Sequence, residues 1–145
     1  MEIAIDFDGT CVSHEYPGVG RDIGAVPVLK KLVENGHKLI LFTMRSDGDK
    51  KEVSLNESGE ITISNQGAKH LTDAVNWFEE NGITLYGIQS NPSQRFWTSS
   101  PKAYAQLYID DAALGCPLKT PETPDERPYV DWDVVSVLLG QMGLI

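Results

Sequence analysis

Apolar runs and helical stripes alternate along this chain. Ile3, Ala4 and Ile5 form a run typical of a strand buried on both faces, and the run ends at Asp6 and Asp8. Residues 24–36 carry Val26, Leu29, Leu32 and Val33 at helical spacing, with Pro27 in the first turn and Gly36 as a stop. Leu39 to Phe42 is a second apolar run, followed by Thr43, Met44 and Arg45. Between 47 and 66 the pattern changes. Val53 and Leu55, then Ile61 and Ile63, alternate with polar residues around Asn56-Glu57-Ser58-Gly59, which predicts a hairpin inserted at about 50–64. From Lys69 to Asn81, Leu71, Ala74, Val75 and Phe78 lie on one helical stripe that stops at Gly82. Ile83 to Ile88 predicts a third strand, Pro101 to Ala105 a helical turn, and Leu107 to Ile109 a fourth strand ending in Asp110 and Asp111. Residues 112–130, with Pro117, Pro121, Pro124 and Pro128, read as irregular. Asp131 to Met142 reads as a closing helix, with Asp131 as N-cap and Val134, Val135, Leu138 and Leu139 facing inward.

This order predicts an α/β fold: a three-layer, Rossmann-like parallel sheet with right-handed crossovers and helices on both faces, plus the small hairpin. Residues 1–145 form a single domain, with neither an internal repeat nor a linker. In such sheets ligands bind at the carboxyl edge of the strands. Asp6 and Asp8 follow the first strand there, Thr43 and Arg45 the second, and Asp110 and Asp111 the fourth. Two acids at the end of a buried strand are costly to desolvate unless a cation faces them, and a divalent cation with oxygen ligands is the simplest partner. An ordinary Asp-Gly turn is the bland alternative for Asp8-Gly9.

Composition narrows the function classes. A net charge of −9 disfavours broad nucleic-acid binding and docking on anionic membranes, since both need basic surface. No apolar run reaches transmembrane length, and no charged segment followed by an apolar one precedes the first strand, so a cytoplasmic protein is expected. Cys11 and Cys116 fit no metal spacing and are expected as reduced thiols rather than a disulfide. Cys11 has a weak claim as a nucleophile, with His14 its nearest candidate partner.

The strand ends together resemble the motifs of the haloacid dehalogenase (HAD) superfamily of phosphohydrolases. The first motif of that family, Asp-x-Asp-x-Thr, matches Asp6-Phe7-Asp8-Gly9-Thr10; the second matches Thr43; the third, a lysine, matches Lys102 with Lys69 as competitor; the fourth, an acidic pair, matches Asp110-Asp111. The resemblance spans nearly the whole chain. It implies a Mg²⁺-dependent phosphatase acting on a phosphate monoester through an aspartyl-phosphate. Asp6 would be the nucleophile, Asp8 the general acid and base, Thr43 a phosphoryl contact and Lys102 the charge that offsets nucleophile and phosphate. Asp6, the Asp8 backbone carbonyl, Asp110 and Asp111 would hold the metal, with Asp110 preferred as direct ligand and the other acid behind it. Gly9, Thr10 and Arg45 are candidate substrate contacts. The dehalogenases lack a carboxylate at the Asp8 position, so Asp8 favours phosphoryl chemistry. Members usually carry a cap domain, but residues 11–23 and 89–101 are too short to be one, so the chain resembles a capless member and the hairpin is a candidate lid. An open site suits a large substrate, or a small one enclosed by a second subunit. A small phosphorylated substrate is the expected partner. A phosphotransferase or mutase with the same intermediate is the alternative within enzymes. A non-catalytic phospho-acceptor or binding domain is the alternative outside them, and the absence of an Asp after Gly87-Ile88-Gln89 counts against a receiver-type acceptor.

Overall fold

Ile3, Ala4 and Ile5 are all buried, as a central strand requires. The protein is described by a computed structural model that covers residues 1–48, 51–65 and 67–145. In chain order its elements are β1 (Glu2–Ile5), α1 (Ala25–Glu34), β2 (Lys38–Leu41), β3 (Lys51–Leu55), β4 (Ile61–Asn65), α2 (His70–Glu80), β5 (Leu85–Ile88), β6 (Leu107–Ile109), β7 (Leu118–Lys119), β8 (Tyr129–Val130) and α3 (Trp132–Gln141). Four strands form a parallel sheet in the order β5-β2-β1-β6, flanked by helical segments. The α/β, Rossmann-like architecture expected from the alternation is observed, except that the three α-helices gather on one face of the sheet rather than on both.

Strand periodicity divides the sheet into two unlike faces. Ile3, Ile5, Leu39, Leu41 and Ile109 face one core, where they meet Leu29 and Leu32 of α1, Ala74 and Phe78 of α2, and Trp132, Val135 and Leu139 of α3. Ala4, Ile40 and Gly87 stand side by side on the other face. That face is covered by residues 89–106, whose helical content is a single 3₁₀ turn at Gln94–Phe96. A Cβ on Gly87 would lie 2.3 Å from the Ser90 carbonyl oxygen, so the covering segment runs against the strand itself. A buried segment without regular structure must satisfy its backbone polar groups some other way. Here the Gln94 side chain does so. Its carbonyl oxygen accepts from Asn91 N (3.0 Å) and Tyr104 N (2.9 Å), and its amide donates to Ser100 O (3.1 Å) and Lys102 O (3.0 Å). The helical turn expected at Pro101–Ala105 is therefore not formed, because these backbone groups bind Gln94 rather than one another.

All three α-helices end in the same way. Gly36, Gly82 and Gly143 take positive φ (86°, 68° and 73°), and the next residue's N–H returns to a carbonyl in the last turn: His37 to Leu32, Ile83 to Phe78, Leu144 to Leu139. This is the Schellman arrangement, and glycine meets its left-handed requirement at little cost. At the start of α3, Asp131 accepts from Asp133 N and Val134 N, as expected of an N-cap. The inward stripe of that helix is narrower than the sequence suggests. Val135 and Leu139 are buried, whereas Val134 and Leu138 stay largely exposed, because only one side of α3 rests on the sheet.

The β3–β4 hairpin pairs Leu55 with Ile61 and turns at Asn56, whose side-chain oxygen accepts from Ser58 N and Glu60 N. Val53, Leu55 and Ile61 are exposed. Residues 112–130, read as irregular, contain the antiparallel pair β7–β8. No helix among the described residues is long and apolar enough to cross a membrane. Both cysteines are free thiols.

The indole N–H of Trp132 donates to the buried Thr10 carbonyl at 2.7 Å, tying the closing helix to the turn after β1. Trp132→Phe keeps most of the apolar volume but leaves that carbonyl unpaired. The expected loss is about 1–3 kcal/mol in urea unfolding, and an unchanged midpoint would show that the bond contributes nothing.

Candidate functional site

Parallel strands deliver their carboxyl ends to one edge, and the chain places its acids there. A cleft of about 490 Å³ at this edge is walled by Asp6, Asp8, Thr43, Arg45, Asp110 and Asp111, all six singled out from the sequence. His14, Tyr16 and Arg127 also line it. None of the described hairpin residues does, so in this structure the candidate lid forms no part of the wall.

The turn after β1 is built around Phe7. Strand alternation sends its ring into the core, edge-on to Trp77 at 5.6 Å, and leaves Asp6 and Asp8 for the cleft. Its carbonyl accepts from the N–H groups of Thr10, Cys11 and Val12, which fixes the tight turn. Thr10 is fully buried. Its hydroxyl donates to Asp6 Oδ2 at 2.8 Å and accepts from Asp111 N at 3.1 Å, joining the ends of β1 and β6. Gly9 has φ 77°, and a Cβ there would stand 2.0 Å from His14 Nε2. That nitrogen lies 2.9 Å from Asp111 Oδ2. Gly9 and Thr10, expected as substrate contacts, are both buried and are not among the residues that line the cleft. Thr10 braces the two acidic strand ends, and Gly9 leaves room for the His14 ring.

Asp6, Asp110 and Asp111 each bring a carboxylate oxygen to within 4.8 Å of the others. Burial, and behind it repulsion from Asp110 and Asp111, pushes the Asp6 carboxyl up to about 7, against the opposing hydrogen bonds from Thr10 and the Phe7 backbone. The donor set is all oxygen, the kind of ligand a hard divalent ion takes, so the triad could hold one. The side chain of Asp8 is not part of this triad.

Asp8 instead faces Arg45. The guanidinium binds it in bidentate fashion, Nε to Oδ2 at 2.8 Å and Nη2 to Oδ1 at 2.7 Å. Nη2 also donates to Gly18 O at 2.6 Å, and Nη1 to Pro17 O and His70 O, both at 3.3 Å. All five donors are engaged, the residue is 2% exposed, and the rings of Phe7 and Tyr16 lie 5.0 and 5.2 Å from its central carbon. Arg45 is therefore not a surface charge, and all its N–H groups are already committed within the protein. It clamps Asp8 and joins the 11–23 loop to the start of α2.

Thr43 lines the cleft, and its hydroxyl oxygen accepts from Arg45 N at 3.1 Å. Its backbone is gripped by the Gln89 side chain, which accepts from Thr43 N (2.9 Å) and donates to Thr43 O (2.7 Å) and Arg45 O (2.9 Å). Gln89 has φ 64°, a conformation that costs a non-glycine residue about 1–2 kcal/mol. Lys102 is not brought to the cleft. Its segment crosses the opposite face of the sheet, and its ammonium lies 5.6 Å from the centre of the Tyr108 ring. Lys69, its competitor, stands ahead of α2 and does not line the cleft either. The Cys11 thiol donates to Asp6 O at 3.2 Å, and burial, then the charges of Asp6 and Asp8, raises its ionisation well above the usual range, which removes it as a nucleophile.

His14, Gln89 and Arg127 carry no motif in the sequence. His14 stood out there only as a neighbour of Cys11, and its partner lies 97 positions away.

No family model matches this chain, and no curated protein matches it in sequence. A solved structure of a conserved protein from Bacteroides thetaiotaomicron is similar to it, with a TM-score of 0.67 and 28% identity over 98% of this chain and 91% of that one.

The folded Asp6 holds its proton up to about pH 7, whereas the unfolded one releases it near 3.8. Folded protein thus binds more protons across that window, and metal-free stability falls as pH rises through it. Asp6→Asn removes this slope. The metal-free variant is expected to melt several degrees above wild type at pH 8 and to converge with it near pH 4, and equal melting temperatures at pH 8 would contradict the burial argument. Arg45→Met leaves Asp8 unpaired in a largely buried place, at an expected cost of about 3–5 kcal/mol in denaturant titration. Asp8→Asn in that background should recover part of the loss, and strictly additive effects would show that the two residues do not interact.

Proposed function

We propose that the cleft is the active site of a Mg²⁺-dependent phosphatase of the haloacid dehalogenase type, hydrolysing a phosphate monoester through an aspartyl-phosphate. The observation that carries this reading is the half-buried, all-oxygen triad of Asp6, Asp110 and Asp111 with a further carboxyl, Asp8, two residues from Asp6 and clamped in place.

Asp6, Asp110 and Asp111 would hold the magnesium ion, which when bound supplies the positive charge that lets an anionic carboxylate meet a phosphate dianion. The rest of the chemistry falls to the chain. Asp6 attacks phosphorus, the bond to the leaving oxygen breaks, and Asp8 gives that oxygen a proton. Water then attacks the aspartyl-phosphate, Asp8 takes the proton back, and phosphate leaves with Asp6 restored. Arg45 determines where the Asp8 carboxyl lies in both steps. Thr43, whose oxygen is already an acceptor for Arg45 N, has its proton free to donate to a phosphoryl oxygen. Thr10 holds Asp6 by a hydrogen bond to one oxygen, which leaves the other for the reaction.

The test is phosphate release from p-nitrophenyl phosphate and a panel of small phosphorylated metabolites, with Mg²⁺ or with EDTA, for wild type and Asp6→Asn. Release that needs the metal and drops by on the order of 10³-fold or more in the variant is the expected result. Full activity in Asp6→Asn would rule out Asp6 as the nucleophile.

A further inference from the structure

The cleft as described has one surplus and one deficit. Four carboxylates, Asp6, Asp8, Asp110 and Asp111, line it, and the cations among its lining residues are few. Arg45 has spent all five donors on Asp8 and three carbonyls. His14 is engaged with Asp111. Lys102, which the family resemblance assigns to the phosphate, lies over Tyr108 outside the cleft. Arg127 alone among the lining residues combines a guanidinium with solvent exposure and, among the described residues, makes no ion pair or side-chain hydrogen bond.

We propose that Arg127 is the residue that binds the phosphoryl group of the substrate in this cleft, in the place the resemblance gives to Lys102. The assignment rests on the phosphatase reading above and specifies how that site recognises its anion.

The surrounding chain holds Arg127 where this role requires it. Three residues on, Val130 N donates to Gly9 O at 2.9 Å, which fastens β8 to the turn that carries Asp6 and Asp8. The β7–β8 pair closes the segment on one side, through Leu118 with Val130 and Lys119 with Tyr129. On the other side Glu126 is taken by Arg21 and Thr123, so the acid adjacent to Arg127 does not neutralise it. The segment is thus tied down on both sides of a free guanidinium at the cleft wall. A planar fork of donors suits phosphate oxygens, and unlike lysine it offers two parallel hydrogen bonds.

The experiment measures inorganic phosphate binding by calorimetry in the presence of Mg²⁺, alongside p-nitrophenyl phosphate turnover. The proteins are wild type, Arg127→Ala, Arg127→Lys and, as a charge control outside the cleft, Arg95→Ala. Melting without phosphate checks that each is folded; Arg127 is exposed, so little change is expected there. Arg127→Ala should weaken phosphate binding by about tenfold or more and lower kcat/KM by about 10²-fold, Arg127→Lys should recover part of both, and Arg95→Ala should match wild type. Wild-type binding and turnover with an unaffected Arg127→Ala would overturn the assignment and leave the phosphatase reading standing. So would loss of binding in Lys102→Ala alone. Wild type that neither binds phosphate nor releases it from the ester would overturn both.

Discussion

Carboxylates at the end of a buried strand repel one another, and much of this structure can be understood as an answer to that repulsion. Asp6 is the most burdened, enclosed by protein and faced by Asp110 and Asp111. Asp8 is relieved by a bidentate guanidinium, and that one contact shapes its surroundings. A buried arginine needs five acceptors, and Arg45 takes the remaining three from the 11–23 loop and the start of α2. The ion pair therefore ties the turn after β1 to the 11–23 loop and to the start of α2. Asp6 has no comparable partner among side chains. An acid left in that condition holds its proton or meets a cation.

The sheet supplies the geometry. With β1 and β2 central and all four strands parallel, every carboxyl end emerges on one edge, so residues far apart in sequence arrive within hydrogen-bond reach. Thr10 shows the effect on a small scale, bonded at once to Asp6 and to the backbone of Asp111, 101 positions away. The β5–β6 connection shows the reverse. It crosses the far face, needs the Gln94 side chain to satisfy its backbone, and carries Lys102 away from the edge. The residue just before it, Gln89, reaches back to hold Thr43 and accepts a strained backbone to do so.

How far these features could be read in advance depends on their range. The strands, helices, helix stops and hairpin were legible because each rests on neighbours in sequence: apolar spacing of two or of three to four, a glycine where φ must be positive, an aspartate ahead of α3. The place of the acids at the cleft was legible because they stand immediately after apolar runs, and the end of a parallel strand is a predictable place. Arg45 illustrates the limit. Its position past Thr43 placed it at the right edge, but whether it met solvent, substrate or Asp8 depended on a loop and a helix start remote in sequence. The position of Lys102 outside the cleft lining was illegible for the same reason, because which face its segment would cover was set by packing around Gln94 and Gly87.

By itself, then, the sequence determined the element order, the parallel α/β class and the edge on which the acids gather, since local spacing and short-range backbone preference are enough for these. The tertiary structure decided which acid is paired with a guanidinium and which lie together without one, that Thr10 braces the strand ends behind the cleft, and that Arg127 rather than Lys102 stands at its wall. Those outcomes hinge on burial and on partners up to about a hundred residues distant, and only the folded chain brings such partners together.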